Sequence, residues 1–264
     1  MTDNALQVRT MADYMASGET PEVLFWVGCA GSFDDRARKI TKAFVRILNA
    51  AKVKFAVLGT EESCTGDPAR RAGNEFLFQM QAQTNIAVLN GYEVKRIVTA
   101  CPHCFNTLKN EYPALGGSYV VMHHTQFINS LLKEGRIKVE GGSFAGKRIT
   151  FHDPCYLGRG NGEYEAPREV LLKLDAALVE MKRSKKNGLC CGAGGAQMFK
   201  EAEPGTKEVN IERTEDALAE SPNVIAAGCP FCNTMITDGV KHFNKEGEVV
   251  VKDVAELIAE AGDL

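Results

Sequence analysis

"RIVTACPHCFNTLKN" (residues 96–110) and "NVIAAGCPFCNTMITD" (residues 223–238) belong to one chain, and in each a short apolar run leads straight into Cys-Pro-x-Cys. Cys101 and Cys229 are 128 positions apart, as are Cys104 and Cys232. Upstream, Cys29 to Cys155 and Cys64 to Cys190 each span 126 positions. The flanks recur as well. "LFWVGC" (24–29) answers "ITFHDPC" (149–155), and "SYVVMHHTQFINSLL" (118–132) answers "GEVVVKDVAELIAEA" (247–261). The chain is an internal duplication, with a first repeat over 20–132, a Gly/Lys-rich linker over 133–147 and a second repeat over 148–264.

Each half reads as the same string of elements. A short apolar run (Val23–Val27; Arg148–Phe151) predicts a buried strand that leads to a cysteine. A helix follows, with Ile40, Phe44, Ile47 and Leu48 at i, i+4, i+7 and i+8 in the first half. A second strand (54–59; 177–181) precedes the second cysteine, and a second helix (73–90; 206–220) comes after it. A third strand enters Cys-Pro-x-Cys, and a last strand and helix close the unit. The expected fold class is α/β: two pseudo-symmetric repeats, each a mainly parallel sheet covered by helices. Ligands of open parallel sheets sit beyond the carboxyl ends of the strands. Cys29, Cys101, Cys155 and Cys229 follow predicted strands on that edge, while Cys64 and Cys190 fall in loops that open helices there.

The 264 residues can bury a sizeable core, and 44% hydrophobic with 25% charged residues is a globular composition. A net charge of −3 supplies no electrostatic reason to expect nucleic acid as a partner. The first twenty residues lack the apolar core of a signal peptide, and no run approaches the ~18 residues of a membrane span. A cytoplasmic protein is therefore expected, without a span of its own but able to sit beside a membrane complex. In a reducing compartment, nine clustered cysteines point to metal or redox chemistry rather than disulfides.

In both Cys-Pro-x-Cys motifs the proline suits the first turn of a helix, whose positive end favours thiolate over thiol. Two sulfurs at i and i+3 there form a clamp for a soft metal. Zinc and iron–sulfur clusters both accept four thiolates. The first repeat supplies Cys29, Cys64, Cys101 and Cys104; the second supplies Cys155, Cys190, Cys191, Cys229 and Cys232. Tetrahedral zinc has no use for a fifth thiolate, whereas a multinuclear cluster does, so the second site is read as a cluster. Gly192, Gly194 and Gly195 let the backbone approach a bulky inorganic core.

At these residues the sequence resembles the cysteine-rich CCG domain family, which includes one of the subunits of heterodisulfide reductase. It is similar also to iron–sulfur modules of lactate, glycolate and glycerol-3-phosphate oxidation and of electron transfer from electron-transfer flavoprotein to menaquinone. Cys155, Cys190, Cys191, Gly192, Cys229 and Cys232 match the family pattern in full, over a resemblance spanning roughly 22–260. It implies a noncubane [4Fe–4S] cluster on the five sulfurs of the second repeat, where a disulfide can be cleaved in the family. Ser63-Cys64-Thr65-Gly66 departs from the pattern by keeping one of two adjacent cysteines. A cubane [4Fe–4S] cluster, or structural zinc as the alternative, is expected in the first repeat.

The function expected is an iron–sulfur electron-transfer subunit of a multi-subunit oxidoreductase. A flavin- or ferredoxin-domain partner would supply electrons, and a quinone, disulfide or further carrier would take them at the Cys155–Cys232 cluster. The rival readings are a thiol–disulfide reductase acting at that cluster, and a zinc-stabilised scaffold. His152 and Asp153, just ahead of Cys155, have two readings: a proton relay at the cluster, or caps of the strand-to-loop turn. His103 is expected to face solvent, His123 and His124 are left outside the ligand sets, and Asp67 is expected to open a helix.

Overall fold

The computed structural model describes residues 6–139, 142–201 and 204–264. Two parallel sheets organise it. In the first, β1 (Arg9–Thr10), β2 (Val23–Trp26), β3 (Phe55–Val57), β4 (Arg96–Thr99) and β5 (Val120–His123) lie in the order β1-β3-β2-β4-β5. In the second, β6 (Arg148–His152), β7 (Ala177–Val179), β8 (Val224–Ala227) and β9 (Val250–Asp253) lie in the order β7-β6-β8-β9. Every pairing is parallel. Apart from β1, one order maps onto the other, as duplication requires. All four residues of β2 and of β8 are buried, the pattern of strands covered on both faces.

Register places the carboxyl ends level. Trp26 pairs with Thr99, and Thr99 with His123; in the second sheet His152 pairs with Ala227, and Ala227 with Asp253. The residues that follow these rungs carry the cysteines, so strand pairing itself sets the height of each sulfur.

The two repeats are not separate bodies. The helix His124–Lys133 of the first packs on Glu165–Leu171 of the second, and Val254–Ala261 of the second packs reciprocally on Asp35–Ala50 of the first. Phe25, Phe44 and Ile128 share one hydrophobic core with Ile149, Phe151 and Leu257. Each such side chain contributes about 1.5–3 kcal/mol when fully buried. Arg36 adds a fork to Glu256 at 2.8 and 2.6 Å across the same boundary.

Three details differ from the sequence reading. The first sheet takes in Arg9 and Thr10, ahead of residue 20, and the helix Met11–Ser17 follows them directly. Thr10 and Asp13 close a capping box there, so a polar stretch is structured by its caps rather than by apolar periodicity. The stretch expected to be a linker packs inward through Ile137 and Phe144, while its residues 140 and 141 lie outside the described residues. The second-repeat helix starts at Val209 rather than at residue 206, and residues between Cys191 and Lys200 form glycine turns and a short 3-10 turn instead of entering a helix at once.

Candidate metal centres at the sheet edges

Cys101 and Cys229 are the N-caps of the helices Pro102–Asn106 and Pro230–His242, each with proline in the first turn. Both thiols are buried, as are those of Cys104 and Cys232 one turn on. The free N–H groups of those first turns face the sulfurs, as the motif predicts.

The second cysteine loop is built the same way in both repeats. The Gly66 N–H donates to Cys64 Sγ at 3.4 Å, and the Gly192 N–H donates to Cys190 Sγ at 3.3 Å. This turn needs φ of +88° at Gly66 and +91° at Gly192, a backbone region that favours glycine. Asn85 and Tyr112 brace the first loop by donating to the carbonyls of Cys64 and Thr65 at 3.0 and 3.1 Å.

The nine cysteines are all unbridged, and they gather into two sets. In the second repeat each thiol touches the next: Cys155 with Cys190, Cys190 with Cys191, Cys191 with Cys232, and Cys232 with Cys229. Cys191 Sγ and Cys232 Sγ are 3.2 Å apart. In the first repeat Cys29 meets Cys64 and Cys101 meets Cys104. Where the second repeat has Cys191, the first has Thr65, whose hydroxyl is 3.9 Å from Cys104 Sγ. Cys104 is the counterpart of Cys232, so threonine occupies the fifth sulfur's place. Cys101 and Cys229 also touch, which brings the two sets side by side across the repeat boundary.

Proton sharing follows from this crowding. Cys190 is held far below the usual thiol range because Cys155 and Cys191 donate to it, while donation to Cys190 pushes Cys191 up to about 12. Cys64 comes down to about 7 because Cys29 donates to it. Adjacent thiolates repel, so each set keeps several sulfurs protonated when left alone. A cation among them removes that repulsion. The donor chemistry fits a soft metal: five sulfurs in one set, four sulfurs and a hydroxyl in the other.

A carboxylate ties the cysteine loops together in each repeat, by opposite routes. Glu62, two residues before Cys64, accepts from the N–H groups of Val27 and Gly28 at 2.9 and 2.6 Å, next to Cys29. Burial pushes its pKa up to about 7. Asp153, two residues before Cys155, accepts from the Lys185 N–H at 2.7 Å in the segment that leads to Cys190. Arg168 grips the same carboxylate at 2.7 and 3.0 Å. Asp153 is therefore an anchor of the strand-to-loop turn.

His152 behaves differently from its neighbour. Its Nε2, Cys191 Sγ and Cys232 Sγ all lie within 4.8 Å of one another, and its Nδ1 accepts from Arg213 Nε at 2.9 Å. Burial, then the Arg213 charge, pushes its pKa down to about 3, so the ring is neutral.

The expectation for His103 is overturned. It is buried between the repeats, with Nδ1 2.9 Å from Asp67 Oδ2 and its ring 4.4 Å from that of Tyr156. Its helix lies against the other half of the molecule, and that contact is tertiary. Asp67 does open a helix, Asp67–Arg71, but it is buried and shared with His103 and Arg71. His123 and His124 stay out of the cysteine sets. They form a buried string across the repeat boundary, in which His124 Nε2 meets Asp253 Oδ1 at 2.8 Å. Glu62, Arg168 and Arg213 were missed by the sequence reading; a charged residue on the core-facing side of a short amphipathic helix was the available signal for the arginines.

Comparison with known proteins agrees with this arrangement. The CCG cysteine-rich domain matches residues 23–109 and again 149–237. A probable iron–sulfur-binding oxidoreductase, FadF, of Bacillus subtilis is 46% identical over 97% of this chain and 36% of its own length. The EtfAB:quinone oxidoreductase of Syntrophomonas wolfei is 44% identical over 96% of this chain and 36% of its own. One subunit of the dihydromethanophenazine:CoB–CoM heterodisulfide reductase of Methanosarcina barkeri is 36% identical over 91% of this chain and 59% of its own. The chain thus spans about a third of the length of the first two relatives. With both sheets ending in the same cysteine pattern, the chain belongs to the CCG cysteine-rich domain family and carries that domain twice.

Proposed function

We infer that this chain is an iron–sulfur electron-transfer module that works within a larger oxidoreductase. The observation that carries the reading is the contact between Cys101 and Cys229, which joins a four-sulfur and a five-sulfur set edge to edge. Two redox groups held there would exchange electrons over a short path. Cys29, Cys64, Cys101 and Cys104 would hold a cubane [4Fe–4S] cluster, and Cys155, Cys190, Cys191, Cys229 and Cys232 a noncubane one. Such clusters supply one-electron steps whose potential follows hydrogen bonding and burial around the sulfurs.

The chain's own residues prepare these sites. The Gly66 and Gly192 N–H groups stabilise thiolate charge, the buried cysteine helices exclude water, and Glu62 and Asp153 hold paired loops at fixed separation. The names of the relatives support an oxidoreductase assembly in which a flavin- or ferredoxin-domain protein donates electrons and a quinone or disulfide accepts them. No helix among the described residues is long and apolar enough to cross a membrane, so access to a quinone pool would depend on a partner or on peripheral docking. Thr65 in place of a fifth sulfur weighs against disulfide chemistry at paired noncubane clusters, and favours electron relay.

Anaerobic purification with iron, zinc and sulfide counted per chain, followed by electron paramagnetic resonance, tests this. About eight irons and two distinguishable signals are expected for two four-iron clusters. About four irons with one zinc would assign zinc to the first repeat. A colourless zinc protein would refute the electron-transfer reading.

A further inference from the structure

The strand that leads to the first cysteine ends, in both repeats, on a buried ring with an N–H that has no partner. In the second repeat the ring is His152, at the end of β6, fully buried, with Nε2 unpaired among the described residues. In the first it is Trp26, at the end of β2, equally buried, with Nε1 unpaired. Each precedes its cysteine by three positions, Cys155 and Cys29 respectively. A buried donor left without an acceptor costs roughly 1–3 kcal/mol, so such an atom signals a missing neighbour.

The geometry points to His152 as a hydrogen-bond donor to sulfur of the second centre, and not as one of its ligands. Nearness alone would suggest the opposite, since Nε2 lies within 4.8 Å of both Cys191 Sγ and Cys232 Sγ. The other ring nitrogen decides the matter. Nδ1 faces Arg213 Nε at 2.9 Å, and arginine can only donate. Nδ1 therefore offers its lone pair, and in the neutral ring the proton sits on Nε2. A ligating Nε2 needs the reverse tautomer, which would set an N–H against an N–H. Metal-bound histidines instead give their other N–H to an acceptor such as a carboxylate or carbonyl.

Arg213 is well fixed in this role. It is fully buried on the helix Val209–Leu218, and its Nη1 donates to the Arg183 carbonyl at 2.7 Å. Trp26 supports the assignment independently, because an indole N–H donates and never ligates. The position has one job in both repeats: to point an N–H at cluster sulfur. Such a bond stabilises the more negative, reduced cluster and raises its potential.

The inference rests on the cluster reading above, and pulsed electron paramagnetic resonance of the wild-type chain labelled with ¹⁵N-histidine tests it without any variant. The reduced second cluster should show weak histidine nitrogen coupling and an exchangeable proton. The strong coupling of a directly bonded nitrogen, or no histidine coupling at all, overturns the inference. In His152→Gln the nitrogen coupling should vanish while the exchangeable proton stays, since the amide donates from nearly the same place. In His152→Leu the proton should be lost and the midpoint potential should fall, with iron per chain unchanged. Iron lost from both variants, or an unshifted potential in His152→Leu, would also overturn it. A chain that holds zinc alone refutes the cluster reading while leaving the donor separately decidable. Nitrogen NMR of that diamagnetic protein upholds the inference if His152 Nε2 carries a proton and overturns it if Nε2 is bonded to metal.

Discussion

Replacing Arg168 by methionine should destabilise the chain more than removing any of its surface ion pairs. All five N–H groups of the guanidinium are used. Nη1 and Nη2 hold Asp153 at 2.7 and 3.0 Å, Nε and Nη2 hold Glu180 at 2.6 and 2.8 Å, and Nη1 reaches the Tyr164 carbonyl at 2.9 Å. The side chains of Arg168 and Asp153 are only 5% and 4% exposed, so solvent cannot replace the lost partner at Asp153. Glu180 is 40% exposed and is readily solvated. Breaking a buried pair from one side costs about 3–5 kcal/mol, against about 0–1 for a surface pair. Arg168→Met should therefore lower the folded-to-unfolded ratio by roughly two to four powers of ten. Urea unfolding followed by far-ultraviolet circular dichroism measures this. Because Asp153 also holds the Lys185 N–H, the same variant should lose iron from the second site and keep it in the first. Adding Asp153→Leu removes the stranded charge, and the double variant should be about 2 kcal/mol more stable than Arg168→Met alone. A cost below about 1 kcal/mol for Arg168→Met, or a double variant worse than the single, would refute the argument.

Gly66→Ala should cost more than Gly192→Ala although both carry the same backbone strain of about 1–2 kcal/mol. A Cβ at Gly66 would meet Phe78 Cδ2 at 2.8 Å and Phe78 backbone atoms at 3.2 Å, whereas the nearest atom at Gly192 is 3.5 Å away. Overpacking adds about 1–3 kcal/mol to the first alone, and equal unfolding midpoints would contradict it. Cys191→Ser should alter the spectrum of the second cluster and spare the first; an unchanged spectrum would remove Cys191 from the ligand set. Arg36→Ala should cost about 2 kcal/mol by cutting the inter-repeat fork to Glu256. Its two cluster signals should stay in place, and a shifted signal would mean that the fork also positions a site.

How much was readable in advance follows from which interactions are local. The Cys-Pro-x-Cys helices, the strands before them and the duplication are written in short stretches, because proline at a helix start and apolar strand runs act within a few residues. The spacing of Cys29, Cys64, Cys101 and their counterparts, joined to parallel-sheet geometry, was enough to place the sulfurs on one edge. The replacement of Cys191 by Thr65 was equally plain, since it needs only an alignment of the two halves.

Tertiary structure alone decided what surrounds those sulfurs. His103 faces Asp67 and Tyr156 because the two repeats pack reciprocally, a contact no window of sequence contains. Asp153 and His152 are adjacent in the chain, yet one is consumed by Arg168 and the other faces Cys191 and Cys232. Their partners, Arg168 and Arg213, lie 15 and 61 residues away. The sulfurs could be assigned from sequence because their spacing repeats. The groups that orient them could not, because a hydrogen bond depends on where two folded segments meet.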